Sequence, residues 1–285
     1  MKPLRKGARI AVVAPSGIFD PVRLEAGLAL ARAHGLDPQP FPAMLAPYRF
    51  LAADDATRAA HLIQALTEPG WDAVWIARGG YGLTRLLDRI PYDRLDERPV
   101  IGFSDVTALL QALPAHVPRV HGPMPHSLPI TDAASVDALF DLLAGVPVSP
   151  LQGTAFVPGH AEGPLVVGNL TMFAALCGTR WQPRWRDAIV VLEDVGEAPY
   201  RIDRVLQQLR QSGAFDGVAA VCFGEFDKCS PGPGTGYALE EVLVDAVYDL
   251  GVPVLGMLPV GHGARNRAVV WGAAARIEGA QLVIT

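Results

Sequence analysis

Short, continuously apolar runs punctuate the first half of the chain and alternate with stretches in which apolar residues recur every three or four positions. Arg9–Ala14, Ala73–Ala77 and Val100–Phe103 predict buried strands, because a strand with one wet face would alternate apolar and polar residues. Val22–His34, Asp54–Leu66, Leu83–Asp88 and Asp105–Leu113 predict helices, the second entered through Asp54 and Asp55 as caps. Strand and helix in alternation predict a parallel sheet with helices on both faces. The stretch 146–158 is rich in Pro and Gly and has no strong period, so domains are expected over 1–145 and 163–285 with a linker at 146–162. The second half predicts strands at Leu165–Gly168, Ile189–Leu192, Val218–Phe223 and Val252–Leu255, with helices at Gly168–Cys177 and Arg201–Ser212. Ser230–Gly236 reads as a loop, since Pro or Gly interrupts it at nearly every step. Ala274–Thr285 predicts two short strands around Glu278-Gly279.

Composition narrows the class. Two hundred and eighty-five residues, half of them hydrophobic and 19% charged, can bury a core without disulfides or a structural metal. A formal net charge of −5 excludes a generally basic nucleic-acid or anionic-membrane binder. The basic start Met1–Gly7 leads into only a short apolar run, broken by Arg9, with no small-residue cleavage pattern, so it reads as a first strand rather than a signal peptide. No apolar run approaches the roughly 18 residues of a spanning helix. Three cysteines, Cys177, Cys222 and Cys229, form no C-x-x-C pair and fit a reducing compartment, so a cytoplasmic location is expected.

Three segments carry candidate chemistry. In Ile101-Gly102-Phe103-Ser104-Asp105-Val106-Thr107 a serine falls at a predicted strand-to-helix turn, on the carboxyl edge of the sheet where ligands bind in open α/β folds. The backbone N–H groups opening the next helix, Asp105's among them, could stabilise an oxyanion there. The turn is like a nucleophile elbow, although G-x-S-x-T departs from G-x-S-x-G. An ordinary helix N-cap fits the same residues, and local sequence leaves both readings open.

Ala77-Arg78-Gly79-Gly80-Tyr81-Gly82 ends another predicted strand. Consecutive glycines let backbone amides approach a ligand, or simply make a tight turn. A dinucleotide fingerprint is weak, since Arg85 stands where Gly or Ala is needed. The third segment is a pair, Leu192-Glu193-Asp194-Val195-Gly196-Glu197 and Gly261-His262-Gly263. A carboxylate can orient an imidazole and stabilise the imidazolium formed when it takes a serine proton. Solvated loop residues account equally well for either half alone. The seven histidines show no H-E-x-x-H spacing, and no metal or other cofactor is expected.

In order along the chain, A-P-S-G at Ala14–Gly17, A-R-G-G-Y-G at Ala77–Gly82, G-F-S-D at Gly102–Asp105, H-G-P-M at His121–Met124, G-N-L-T at Gly168–Thr171, L-E-D-V-G-E at Leu192–Glu197, P-Y-R-I-D-R at Pro199–Arg204 and G-H at Gly261–His262 resemble the LD-carboxypeptidases. This serine peptidase group, S66, includes muramoyltetrapeptide carboxypeptidase and the microcin C self-immunity proteins. The resemblance covers nearly the whole chain. It implies an α/β fold: an N-terminal parallel-sheet (Rossmann/flavodoxin-like) domain bearing the nucleophile, plus a C-terminal β-rich α/β domain bearing the acid and base. It also implies a Ser-Glu-His triad, with Ser104 as nucleophile, Glu193 as acid and His262 as general base. Glu197 is the weaker candidate for the acid. Backbone amides of Asp105 and of one glycine of Gly79-Gly80, with Gly80 preferred, are implied as oxyanion donors.

The implied substrate is a murein tetrapeptide or related small peptide, cut before its terminal D-Ala in peptidoglycan recycling. The partners expected exclude nucleic acid and membrane, and family members are commonly homodimers. A site selective for a free carboxylate needs a cationic or amide-lined pocket, for which Arg78, Arg201 and Arg265 are the nearest arginines. Two rival readings remain at this point: an immunity-type hydrolase of peptidyl or aminoacyl adenylate analogues, and a non-catalytic binding protein of the same fold.

Overall fold

Apolar runs too short to span more than a few residues line up as the strands of two sheets, seen in a computed structural model that describes residues 1–232 and 234–285. The chain folds as two compact units. Met1–Val146 and Arg267–Val270 form the first; Pro147–Asn266 and Trp271–Thr285 form the second.

The first unit runs β1 (Arg9–Val13), α1 (Pro21–Ala33), β2 (Asp37–Pro40), α2 (Asp55–Thr67), β3 (Ala73–Ile76), β4 (Val100–Gly102), α3 (Thr107–Ala112), β5 (Arg119–His121) and α4 (Ala133–Leu143). Strands β5, β4, β3, β1 and β2 lie side by side in that order and pair in parallel. Ile10, Val12, Val13, Val74, Trp75, Ile76, Val100 and Ile101 are wholly buried, as apolar strands covered on both faces should be. β2 carries Pro38 and Pro40, which a ladder tolerates at a sheet edge, and that is where β2 lies. Its proline content is why the sequence pattern misses it. Asp54 caps α2, accepting from Thr57 N at 2.7 Å.

Two helical expectations are modified. Leu83–Asp88 forms two short 3₁₀ turns, Leu83–Arg85 and Leu87–Arg89, rather than one α-helix. Asp105–Leu113 begins as a 3₁₀ turn at Ser104–Val106 and becomes α-helical only from Thr107. Side-chain bonds cross between these turns and their neighbours: Leu83 N donates to Asp105 Oδ2, and Arg58 donates to the Gly82 carbonyl.

The second unit continues with β6 (Leu151–Gln152), β7 (Thr154–Val157), β8 (Ala161–Asn169), α5 (Leu170–Ala175), β9 (Ile189–Val195), α6 (Pro199–Gln211), β10 (Ala220–Asp227), α7 (Leu239–Asp245) and β11 (Val254–Gly256). After β12 (Val269–Trp271), whose place is at the β5 edge of the first sheet, β13 (Ala274–Glu278) and β14 (Gln281–Ile284) complete it. The eight strands run β6-β14-β13-β8-β9-β10-β11-β7, with β8 to β11 parallel and the flanking pairs antiparallel. The stretch expected as a linker, 146–162, holds β6, β7 and the start of β8. It pairs with β14 and β11, partners more than 90 residues away that no local pattern announces. Pro233, inside the predicted Ser230–Gly236 loop, lies outside the described residues; the rest of that loop holds neither helix nor strand.

α1 shows how tightly the first unit is packed. Gly27 faces the core with Leu24, Leu28 and Ala31, and a Cβ there would collide with the carbonyl of Pro125. Gly27→Ala normally stabilises an open helix by about 1 kcal/mol. Here it is expected to destabilise the protein by roughly 1–3 kcal/mol, because an overpacked core must shift backbone. Urea unfolding measures this, and a stabilised variant would show that α1 does not pack as described.

Candidate functional site

Within the first unit the site grows from three loops at the carboxyl ends of β1, β3 and β4. Ser104 follows β4 with φ 66°, a left-handed backbone that side-chain-bearing residues rarely adopt. Such a residue stores roughly 1–3 kcal/mol of strain unless the surroundings hold it, and sites of chemistry are where such strain collects. The surroundings here are glycines. A Cβ on Gly79 would lie 2.9 Å from Ser104 Cβ and 3.1 Å from its Oγ, and one on Gly102 would lie 2.9 Å from Val106 Cγ1. The turn therefore closes only because positions 79 and 102 have no side chain.

The Asp105 carboxylate ties the three loops together. Its Oδ2 accepts from Ser16 Oγ at 2.6 Å and from the backbone N–H of Leu83 at 3.0 Å, wholly inside the protein. Burial pushes this carboxyl above the ordinary range, opposed by those hydrogen bonds and by the Arg58 charge. Arg58, also buried, donates to the carbonyls of Pro15, Gly82 and Ala53 and pairs with Asp55 at 2.5 Å. The loops after β1 and β3 are thus fixed twice, by an acid and by a base. The sequence reading used only the amide of Asp105. The side chain's role is visible only once Ser16 and Leu83 are placed beside it, and A-P-S-G, which contains Ser16, was the available signal.

Gly79 and Gly80 differ in their surroundings. Gly79 is buried against Ser104, with its carbonyl accepting from Gly17 N at 3.0 Å. Gly80 is exposed, with φ 106°. A Cβ on Gly79 would lie 3.5 Å from Asp105 N, whereas one on Gly80 would approach Gly17.

Within the second unit, Glu193 and His262 meet. Glu193 stands near the end of β9, paired in register with Asn169 of β8, and its side chain is wholly buried. His262 Nδ1 donates to Glu193 Oε2 at 2.6 Å. Glu193 Oε1 is buried with no hydrogen-bond partner among the described residues, so His262 is the donor on which this carboxylate depends. The bond fixes the proton on Nδ1 and makes Nε2 the basic nitrogen. Burial pushes the imidazole's pKa down, but the Glu193 charge and hydrogen bond, with Asp194 and Asp227 beyond, outweigh it and raise the pKa above 6.5.

Glycines again make room. A Cβ on Gly261 would lie 3.3 Å from Glu193 Cβ, and one on Gly224 would lie 3.2 Å from the same atom. Asp194, on the other face of β9, accepts from Asn169 Nδ2 at 3.0 Å, Thr171 N at 3.0 Å and Thr171 Oγ1 at 2.7 Å. It locks the strand end that presents Glu193, a positioning role the sequence reading did not assign. Glu197 instead pairs with Arg201 at 3.5 Å. A cavity of about 520 Å³, lined in part by Phe156, Phe223, Glu225, Met257 and Arg265, lies beside this region.

Each predicted residue thus has a definite place. Ser104, Asp105, Gly79 and Gly80 cluster in the first unit, and Glu193 and His262 in the second. Cys222 and Cys229 are poor nucleophiles, since burial pushes their thiols up to about 12 and about 11. No group of three or more His, Cys, Asp or Glu among the described residues could hold a metal ion. Likewise no helix among them is long and apolar enough to cross a membrane.

Comparison with known proteins gives the class. Residues 10–122 match the LD-carboxypeptidase N-terminal domain and residues 162–277 the LD-carboxypeptidase C-terminal domain. The murein tetrapeptide carboxypeptidase of Pseudomonas aeruginosa is 36% identical over 290 residues, covering 96% of this chain and 94% of that protein. The chain belongs to the LD-carboxypeptidase family of peptidases. Among solved structures, the muramoyltetrapeptide carboxypeptidase of Oxalobacter formigenes has a TM-score of 0.87 at 28% identity, covering 96% of this chain and 97% of that one. The microcin C7 self-immunity protein MccF has a TM-score of 0.88 at 19% identity, covering 99% and 97%, and shares the fold.

Two outcomes are expected from these geometries. An NMR titration of His262 should give a pKa above 6.5, and Glu193→Gln should lower it, because the attraction that outweighs burial is gone. By linkage the His262–Glu193 pair stabilises the fold fully below pH 6.5 and less as pH rises through the raised value. A His262 pKa unmoved by Glu193→Gln would show that the pair is not electrostatically coupled. Separately, Asp105→Ala should cost roughly 2–5 kcal/mol, since it strands the buried donors of Ser16 and Leu83. Asp105→Asn should cost far less, because its amide oxygen still accepts; equal losses in thermal melts would contradict the bonding described.

Proposed function

We propose that the chain is a serine carboxypeptidase that hydrolyses the L-D bond before the terminal D-Ala of a murein tetrapeptide, with Ser104, Glu193 and His262 as its triad. The observation that carries this reading is the 2.6 Å bond between His262 Nδ1 and the buried Glu193 carboxylate. It supports a general base held in one tautomer and ready to stabilise positive charge. The strained Ser104 turn supports the nucleophile. In this reading residues 1–145 act as the nucleophile-bearing domain and residues 163–285 as the acid- and base-bearing domain.

His262 Nε2 takes the Ser104 proton as Oγ attacks the scissile carbonyl carbon, and the carbonyl π electrons move to oxygen. The Asp105 amide and an amide of Gly79-Gly80 stabilise that oxyanion. Gly80, favoured from sequence, has the exposure a donor needs, whereas Gly79's proximity to Ser104 and Asp105 N makes it an equal candidate. Collapse of the intermediate breaks the C–N bond, and the imidazolium protonates the departing D-Ala amine. Water, deprotonated by His262, then attacks the acyl-enzyme and releases the tripeptide acid and Ser104. The Pseudomonas aeruginosa relative's name supports the murein peptide as substrate.

Ser104→Ala and His262→Ala should each lower kcat by roughly 10⁴–10⁶-fold, and the double variant should add little, because both remove one proton-coupled attack. Glu193→Ala should cost somewhat less, and Glu197→Ala least. Products from defined tri-, tetra- and pentapeptides, identified by mass, provide the measurement. Appreciable turnover by Ser104→Ala defeats the mechanism, and hydrolysis of an acyl sulfamoyl nucleotide with none of tetrapeptide defeats the substrate assignment. Since His262 must be neutral to act as base, kcat/KM should rise with pH through a value above 6.5, and a flat profile from roughly pH 5 to 8 would exclude it as the base.

A further inference from the structure

Of the three arginines near the site motifs, two are already neutralised. Arg265 Nε donates to Glu225 Oε1 at 2.8 Å, and Arg201 pairs with Glu197 at 3.5 Å. Arg78 is different. It is only partly exposed, and its guanidinium donates to the carbonyl of Ile18 and faces no carboxylate among the described residues. Five N–H donors converge on a guanidinium, so one carbonyl leaves most of its capacity and all of its charge uncompensated.

A second cation stands close by. Arg23, on α1, donates through Nε to the carbonyl of His126 at 2.7 Å and likewise pairs with no carboxylate among the described residues. His126 supports Arg23 without adding charge. Its Nε2 accepts from the backbone N–H of Asp20 at 3.3 Å, so the ring is neutral with its proton on Nδ1. Burial first, then Arg23 and Arg78, push His126 down to about 4, with Asp20 opposing. Arg78 is itself lowered by burial and by Arg23. Asp20 is the acid in this group, and it is engaged as the cap of α1 through Val22 N at 2.9 Å. The two arginines sit on bonded segments, since the carbonyl of Ala77, next to Arg78, accepts from His126 N at 3.1 Å and the His126 carbonyl accepts from Arg23. Two partly buried guanidiniums with one preoccupied carboxylate cost stability unless an anion joins them.

The position fits the chemistry. Arg78 precedes Gly79, the residue packed against Ser104. Its Nη1 would lie 3.1 Å from a Cβ on Gly17 and 3.6 Å from one on Gly80, so the guanidinium lies along the same loops that hold the nucleophile. In a peptide cut before its last residue, the free carboxylate follows the scissile carbonyl by a single residue, a span of roughly 3.5 Å. An anion site for that carboxylate must therefore sit at the rim of the nucleophile turn.

We infer that Arg78, backed by Arg23, forms the binding site for the terminal carboxylate of the peptide substrate and so restricts the enzyme to the chain's last bond. The inference rests on the peptidase reading above, and the test separates the two. Binding is measured on the full chain by calorimetry with N-acetyl-D-alanine and N-acetyl-D-alaninamide, which involve no turnover. Cleavage is measured with murein tetrapeptide and its C-terminal amide.

The wild type should prefer the acid over the amide in both assays, in cleavage on the order of 100-fold, and Arg78→Gln should abolish most of that preference by weakening the acid alone. Arg23→Gln should reduce it less, and Arg78→Lys should keep part of it, since charge remains while the planar fork is lost. If Arg78→Gln does not fold, as thermal melts would show, Arg78→Lys and Arg23→Gln carry the test. Equal handling of acid and amide by the wild type overturns the anion site, as does full preference surviving the folded variants. A wild type that binds N-acetyl-D-alanine through Arg78 but leaves tetrapeptide uncut keeps the anion site and removes the peptidase reading. One that cuts acid and amide alike does the reverse.

Discussion

The carboxylate of Asp105 is the constraint on which the first half of the site depends. Wholly buried, it accepts from Ser16 of the β1 loop and from Leu83 of the β3 loop while belonging to the β4 turn itself. A desolvated carboxyl is costly unless its donors are in place, so the three loops must close together or not at all. That mutual closure holds Ser104 in its left-handed backbone. It also explains why the helix after Ser104 begins as a 3₁₀ turn, with the Asp105 side chain committed outward to other loops.

The second half is organised by one hydrogen bond of a different kind. Glu193 is buried where a solvated acid would weaken its hold on the imidazole, and His262 is its one hydrogen-bond donor among the described residues. Burial disfavours the imidazolium, but the Glu193 charge and hydrogen bond outweigh it and raise the imidazole's proton affinity. Asp194, satisfied by Asn169 and Thr171, keeps the end of β9 from yielding to that pull.

Glycine accounts for much of the remaining specificity. Gly79 and Gly102 admit the Ser104 turn, and Gly224 and Gly261 admit the Glu193 side chain. Against this crowding, the Arg78 guanidinium is bonded to the carbonyl of Ile18 and has no carboxylate partner among the described residues. A carboxylate carried on the substrate is the partner we infer for it.

The α/β class, the principal buried strands and the family were written in the sequence, because full burial on two faces demands continuous apolar runs and each motif is local in the chain. Ser104, Glu193 and His262 could be named as candidates for the same reason, each lying in a short segment at the end of a strand or between glycines. The edge strands were not. β2 is half proline, and β6 and β7 acquire strand character only from partners more than 90 residues distant. The sequence could offer Glu193 or Glu197 as the acid beside His262, and only packing shows one buried against the imidazole and the other paired with Arg201. The choice among Arg78, Arg201 and Arg265 was open for the same physical reason: a charge's meaning depends on which opposite charges the fold brings near it, and that is decided by tertiary structure alone.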